Sequence, residues 1–218
     1  MAVLSIAIAL KIAASCAVGV APQTLLSVAH VETGLSEFDV GDNTTHRSYR
    51  PGTLPEAIAL ATKLIGAGHS VDLGIAQINS AAGHLQKRGL PIAAAFDPCI
   101  GFRVGGEVFA ECYGRTSGAD EQARLKQAAS CYNTGTLDRG AQYAARVWRA
   151  AALVVPAIQV AGTSSILPSI AGTSVPLRKA PHQMLAMEDG LHGSTSASTA
   201  EASLEGALQL DMTRKDME

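Results

Sequence analysis

The chain has 218 residues, 47% hydrophobic, 17% charged and only 4% aromatic, and its 17 Lys and Arg against 19 Asp and Glu give a net charge of −2. That length suits one domain of ordinary size with an appendage, or two small ones, and it can bury well over half of its unfolded surface. The charge balance excludes a strongly basic nucleic-acid binder and a polybasic membrane-surface protein. No apolar run reaches the ~18 residues of a stable membrane span, and no repeat of three or seven residues signals collagen or a coiled coil.

The N-terminal MAVLSIAIAL is apolar like the centre of a signal peptide, but no positive residue precedes it and Lys11 interrupts the run. Residues 1–15 therefore read as a first helix in preference to a leader. Pro22 suits a first helical position, residues 23–31 carry Leu25, Leu26, Val28 and Ala29 on one stripe, and Gly34 ends that helix. Pro55 opens another helix through Leu64 and Ile65, stopped by Gly66 and Gly68. Asn79 is positioned to cap a short helix through Leu85 and Gln86. Asp97-Pro98 caps and opens a helix through Val104, Val108 and Phe109 toward Tyr113; Asp120 caps one running to Cys131. The last strong helix covers 142–152, with Tyr143, Val147 and Trp148. No long alternating strand is present, so any sheet is small and lies near 39–50 or 71–77. The expected class is mainly α with at most a small β element.

Composition changes after Pro156. Residues 160–205 are rich in Ala, Ser, Thr, Gly and Pro, and the stretch from 156 holds four basic and seven acidic residues. A segment so poor in large apolar side chains does not offset its ordering entropy. The division is thus a helical domain over 1–155 and a flexible, low-complexity tail over 156–218, with at most a transient helix near 200–210.

The four cysteines, Cys16, Cys99, Cys112 and Cys131, form no C-x-x-C pair, and the six histidines show no HExxH or H-x3-H spacing. No metal site or cofactor is expected. Four thiols packed as small apolar groups would suit a cytosolic protein, two disulfides an exported one. Three pairings are open.

Three stretches could carry chemistry. Glu32 ends the helix 23–31, where the negative end of the helix dipole and apolar neighbours would raise its pKa toward that of a general acid. A solvated helix-end glutamate is the commoner reading of this feature alone. In DLGIAQIN (72–79), Gly74 suggests a tight turn or close backbone approach, and Gln77 and Asn79 are amides in an apolar run that need partners or a polar ligand. In SCYNTG (130–135), Tyr132 and Asn133 set an aromatic plate and an amide at a helix end; both suit a sugar, and a Gly-terminated helix with a buried Tyr is the plainer reading.

Taken in order, HVETG with Glu32, DLGIAQIN with Gln77, CYNTG with Tyr132 and Asn133, and the downstream Tyr143 resemble the lytic transglycosylases of the lysozyme-like SLT superfamily. Their motifs read Glu-Ser, Gly-Leu-Met-Gln and Ala-Tyr-Asn-Ala-Gly. VAPQTLLSVAHVETG, the insert through PEAIALATKLIGAGHSVDLGIAQINS, and FDPC make the chain most similar to the VirB1-type branch, over roughly 8–152. The resemblance implies a lysozyme-like helical fold and cleavage of the β-1,4 MurNAc–GlcNAc bond of peptidoglycan glycan strands, with a 1,6-anhydro sugar as product. It implies a single catalytic residue, Glu32, and type IV secretion or conjugation components as partners. Gly74 and Gln77 would line the cleft, Tyr132 and Asn133 would hold the sugar, Tyr143 would hydrogen-bond Glu32, and Thr33, in place of the usual Ser, keeps a hydroxyl beside it. Ile75-Ala76 replaces Leu-Met and Thr134 replaces Ala, departures that bear on substrate fit. Glu37, Asp39, Asp42 and Asp72 are the spare acids; spacing places none as a nucleophile, and they read as caps and loop charges. The family context points to a periplasmic location with Cys16 paired to Cys131 and Cys99 to Cys112. A lysozyme-like muramidase and a non-catalytic wall-binding assembly factor are the alternatives.

Overall fold

The computed structural model describes residues 3–17 and 19–164, with side chains through 154. Six helices and four short strands follow in chain order: α1 (Ile6–Cys16), α2 (Pro22–Thr33), β1 (Val40–Asp42), β2 (Arg47–Tyr49), α3 (Leu54–Gly66), β3 (Val71–Leu73), β4 (Ile78–Asn79), α4 (Pro98–Gly114), α5 (Glu121–Thr134) and α6 (Ala141–Ser164). The class is mainly α with a small sheet, as the punctuation of the chain predicts.

Local chemistry sets most of the boundaries. The side chains of Ser5, Thr53, Asp97 and Asp120 each accept from the backbone N–H three residues on, at 3.3, 3.4, 3.0 and 2.7 Å. Each such cap contributes about 1 kcal/mol. α2 has no side-chain cap; Pro22 starts it and left-handed Gly34 (φ 63°) ends it.

α2 runs through the centre, packed on α1, α4 and α6. Its Leu25, Leu26, Val28 and Ala29 are buried with Phe102, Phe109, Leu125 and Val147. Burying side chains of this size contributes about 1.5–3 kcal/mol each, which is why the helix carrying Glu32 is a fixed wall.

Three of the four strands lie in the two stretches where the sequence allowed a sheet, and β4 lies just beyond the second. Its order is β2-β1-β3-β4, all antiparallel, with Gly41 opposite both Ser48 and Asp72, and Asp72 opposite Asn79. Val71 and Leu73 point into the core, so strand alternation turns Asp72 to the other face.

Three expectations are corrected. Asn79 does not start an α-helix: it sits in β4, its Oδ1 accepts from Ala82 N–H at 2.9 Å, and turns follow until a 3-10 turn at Gln86–Arg88. Left-handed Gly83 and Gly89 bracket too few residues for a stable α-helix. The last helix does not stop near 152 but continues through Pro156 to Ser164, since a proline removes one helical hydrogen bond without forbidding continuation. The rest of the expected tail, including the helix near 200–210, lies outside the described residues. Third, the disulfides are Cys16–Cys99 and Cys112–Cys131, with Cα separations of 5.3 and 5.7 Å, not Cys16–Cys131 and Cys99–Cys112. Cys99 and Cys112 share α4, thirteen residues or about 20 Å apart along its axis, far beyond the ~7 Å a disulfide spans. Cys99, at the start of α4, faces the end of α1; Cys112, near its end, faces α5.

Among the described residues, no helix is long and apolar enough to cross a membrane.

Candidate active site

A cavity of about 550 Å³ opens between the end of α2, the sheet and the facing ends of α4 and α5. Glu32, Asp72, Gln77, Tyr132 and Asn133 line it, with Asn43 and Asn79 on the sheet side. Residues a hundred positions apart thus share one wall, and most of the sequence candidates converge here.

Glu32 sits in the last turn of α2. Tyr143, buried on α6, donates its hydroxyl to Glu32 Oε1 at 2.5 Å. Burial raises the Glu32 pKa from its ordinary 4.5 to about 7; the Tyr143 hydrogen bond opposes the shift, the Asp72 charge adds to it, and Arg146 pulls it back. Desolvation is the largest of these, so the carboxyl is half protonated near neutral pH. That is the state a general acid requires.

The loop after β3 is held tightly. Gly74 has φ +68°, and a Cβ there would lie 2.0 Å from the Ala95 carbonyl oxygen, so both readings of this glycine hold: a turn and a close approach. Gln77 takes the left-handed region without being glycine (φ +49°), a conformation that costs about 1–3 kcal/mol and persists only when its surroundings fix it. What fixes it is its own amide, whose Nε2 donates to Gly74 O at 2.9 Å and Asp39 O at 3.3 Å. Gly74 shapes the loop without lining the cavity; Gln77 reaches it.

Tyr132 closes the opposite side. Its hydroxyl donates to Ala76 O at 2.6 Å, so the ring, and not the phenol, is what it presents to a ligand. A Cβ on Gly105 of α4 would come within 3.1 Å of that hydroxyl oxygen and of Ala76 Cβ; the bare backbone lets the phenol reach the loop. Burial, then the Glu32 charge, push the phenols of Tyr132 and Tyr143 well above their usual range, with Asp72 adding to the first and Tyr132 to the second, so both remain donors. Thr33 is placed differently from the expectation. It is buried, and its Oγ1 sits 3.3 Å from both Ala29 O and Ile75 O, tying α2 to the loop instead of facing the cavity. Ile75 and Ala76 are likewise buried in the core.

Asp72 is the residue that sequence reasoning left unassigned. Its Oδ1 accepts from Asn79 Nδ2 at 2.7 Å and its Oδ2 from Asn43 Nδ2 at 2.8 Å. No cation pairs with it among the described residues. Burial raises its pKa, while the two amides hold it down. Strand alternation in Val71-Asp72-Leu73 was the available signal; the approach of Asn43 was not, because it comes from β-pairing across 29 residues. Of the other spare acids, Asp39 and Asp42 are buried and held by structural partners. Asp39 pairs with Arg50 at 3.3 Å. Asp42 accepts from Thr44 N, Thr45 N and the Thr45 hydroxyl and meets His69 Nδ1 at 2.9 Å; led by the Thr45 hydroxyl, these pull its pKa down to about 2.

Comparison with known proteins decides the family, since residues 9–154 match the transglycosylase SLT domain. The chain belongs to the transglycosylase SLT domain family. Within it, this SLT protein is similar to the type IV secretion system protein virB1 of Brucella suis biovar 1 (strain 1330), 37% identical over 134 residues, or 60% of this chain and 56% of the relative. It is also similar to protein virB1 of Agrobacterium fabrum (strain C58 / ATCC 33970), 35% identical over 147 residues (66% and 59%), and to that of Rhizobium radiobacter, 32% identical over 150 (67% and 62%). The chain thus spans about three fifths of the length of these curated relatives. No solved structure matches. The SLT match ends within α6, so every residue of the cavity lies inside it.

Proposed function

We propose that this protein is a peptidoglycan lytic transglycosylase that cuts the β-1,4 MurNAc–GlcNAc bond and opens the cell wall for a type IV secretion or conjugation apparatus. The observation that carries the reading is a carboxyl with a pKa of about 7, held by Tyr143 and facing a cavity walled by amides and an aromatic ring. Protonated Glu32 gives its proton to the glycosidic oxygen as the bond to muramyl C1 breaks. The substrate's acetamido group stabilises the developing positive charge at C1. The Glu32 carboxylate then takes the proton of the muramyl 6-hydroxyl as that oxygen bonds to C1, which closes the anhydro ring and restores the acid. Asn133 supplies an amide, and Gln77, whose Nε2 is committed to the loop, its Oε1, for sugar hydroxyl or acetamido groups, and the Tyr132 ring a face for sugar C–H groups. The two disulfides suit an oxidising compartment, and the substrate lies outside the inner membrane, so the working place is the periplasm. The similarity to virB1 proteins supports the link to type IV secretion.

Asp72 favours a second reading, a lysozyme-like hydrolase. A second carboxylate in the same cavity, held by two amides and without a cation among the described residues, supports a role in stabilising an oxocarbenium ion or as nucleophile, as in two-carboxylate glycosidases that use water. Digestion of purified walls with product masses separates the two: anhydro ends identify the transglycosylase, reducing ends the hydrolase. Glu32→Gln should lower turnover by roughly 10²–10⁴-fold while leaving wall binding intact. A wild-type protein that releases no muropeptides would overturn both readings. Secretion that persists undiminished in the Glu32→Gln strain would point to the non-catalytic assembly factor.

A further inference from the structure

A second cavity, of about 650 Å³, adjoins the first. The two share Asn133, and Tyr143, whose hydroxyl holds Glu32, stands in the wall of the second. Three arginines line it: Arg139 from the turn before α6, and Arg146 and Arg149 from α6 itself. Arg146 and Arg149 are three residues apart and so share a helix face with Gln142. No acid is among the lining residues, and none of the three arginines makes an ion pair among the described residues. Arg139 donates Nε only to the neutral Thr136 Oγ1 at 3.1 Å, and the Arg146 guanidinium lies 5.5 Å from the centre of the Tyr143 ring. Like charges at this helical spacing are mildly destabilising, and apart from the Arg146 contact with the Tyr143 ring and its distant pull on Glu32 the cluster has no anionic partner among the described residues, so it is open to an anion.

The proposed substrate supplies one. The muramyl sugar whose C1–O bond is cut also bears, on its lactyl ether, a peptide with free carboxylates. Because the two cavities share Asn133 and Tyr143 stands in the wall of the second, a chain leaving the Glu32 cleft on that side enters the arginine cavity. We propose that the arginine cavity binds the carboxylates of this stem peptide, so that the protein prefers peptide-bearing strands over bare glycan. The assignment rests on the glycan-cleaving reading of the first cavity. Arginine fits it because its planar fork takes a carboxylate through two parallel hydrogen bonds. Exposed ion pairs are individually weak, so three converging on one peptide should give a preference of about tenfold.

Binding by the Glu32→Gln protein tests this without turnover. Glycan oligosaccharides carrying their peptides, and the same chains stripped by an amidase, would be titrated against Glu32→Gln and against Glu32→Gln with R139Q and R149Q added. The expected result is about tenfold tighter binding of peptide-bearing chains by the first protein, abolished in the second, with stripped-chain affinity unchanged. The preference should also shrink as salt rises. Equal affinity of the first protein for both chains, or an equal loss on both after the arginine substitutions, overturns the proposal. Turnover of stripped chains by the wild type tests the glycan-cleaving reading separately, so the two can fail independently.

Discussion

The two walls of the cleft hold their carboxyls by opposite means. The helical wall keeps Glu32 by exclusion of water: α2 is packed on three helices, one phenol reaches the carboxyl, and burial drives its pKa to about 7. The sheet wall keeps Asp72 by satisfaction: each oxygen has its own asparagine amide, and those amides oppose the upward push of burial. Only the helical wall is stapled, since both disulfides join helices. The sheet wall depends on hydrogen bonds and on a strained Gln77. Burial with a single phenol favours the protonated form of one carboxyl, whereas paired amides support the charged form of the other.

Removing the longer staple should show how far the helical wall relies on it. Replacing Cys16 and Cys99 with Ala opens a loop of 83 residues in sequence separation, which by chain entropy costs about 4.5 kcal/mol. A fall in the denaturation midpoint, with a steeper slope as the uncrosslinked unfolded chain exposes more surface, would record it; no fall would mean that packing alone holds α1 to α4.

The dryness of Glu32 carries its own cost. Its pKa is raised on folding, so the native state keeps a proton that the unfolded chain releases between pH 4.5 and about 7. Stability is therefore lost as pH rises through that window. Glu32→Gln should be more stable than the wild type by about 3 kcal/mol at pH 8 and no more stable at pH 4. An equal difference at both pH values would mean that the carboxyl is not buried in the sense described.

Asp72→Asn tests whether the second wall acts on the first. The Asp72 charge raises the Glu32 pKa, so its removal should move the alkaline limb of the activity profile to lower pH and reduce turnover roughly 10- to 100-fold. An unmoved limb would reduce Asp72 to a brace between Asn43 and Asn79. The smallest effect is expected for Tyr143→Phe, which removes the hydrogen bond that lowers the Glu32 pKa. Its limb should move the other way, to higher pH, with a several-fold loss of turnover. The opposite signs of these two shifts separate the walls more cleanly than either rate.

Residue order alone determined a good deal here. Caps and stops at Asp97-Pro98, Asp120, Pro22 and Gly34 act within one turn of chain, so the helices are legible from short windows, and four motifs in series placed Glu32, Gln77, Tyr132 and Asn133 in one family pattern. Tertiary structure decided whatever depends on distance across the fold. It set Asp72 between two asparagines through strand register, turned Thr33 inward to the loop carbonyl of Ile75, and joined each end of α4 to a different helix by a disulfide. Local spacing encodes periodicity and capping, whereas burial, pairing and pKa arise only when segments far apart in the chain exclude the same water.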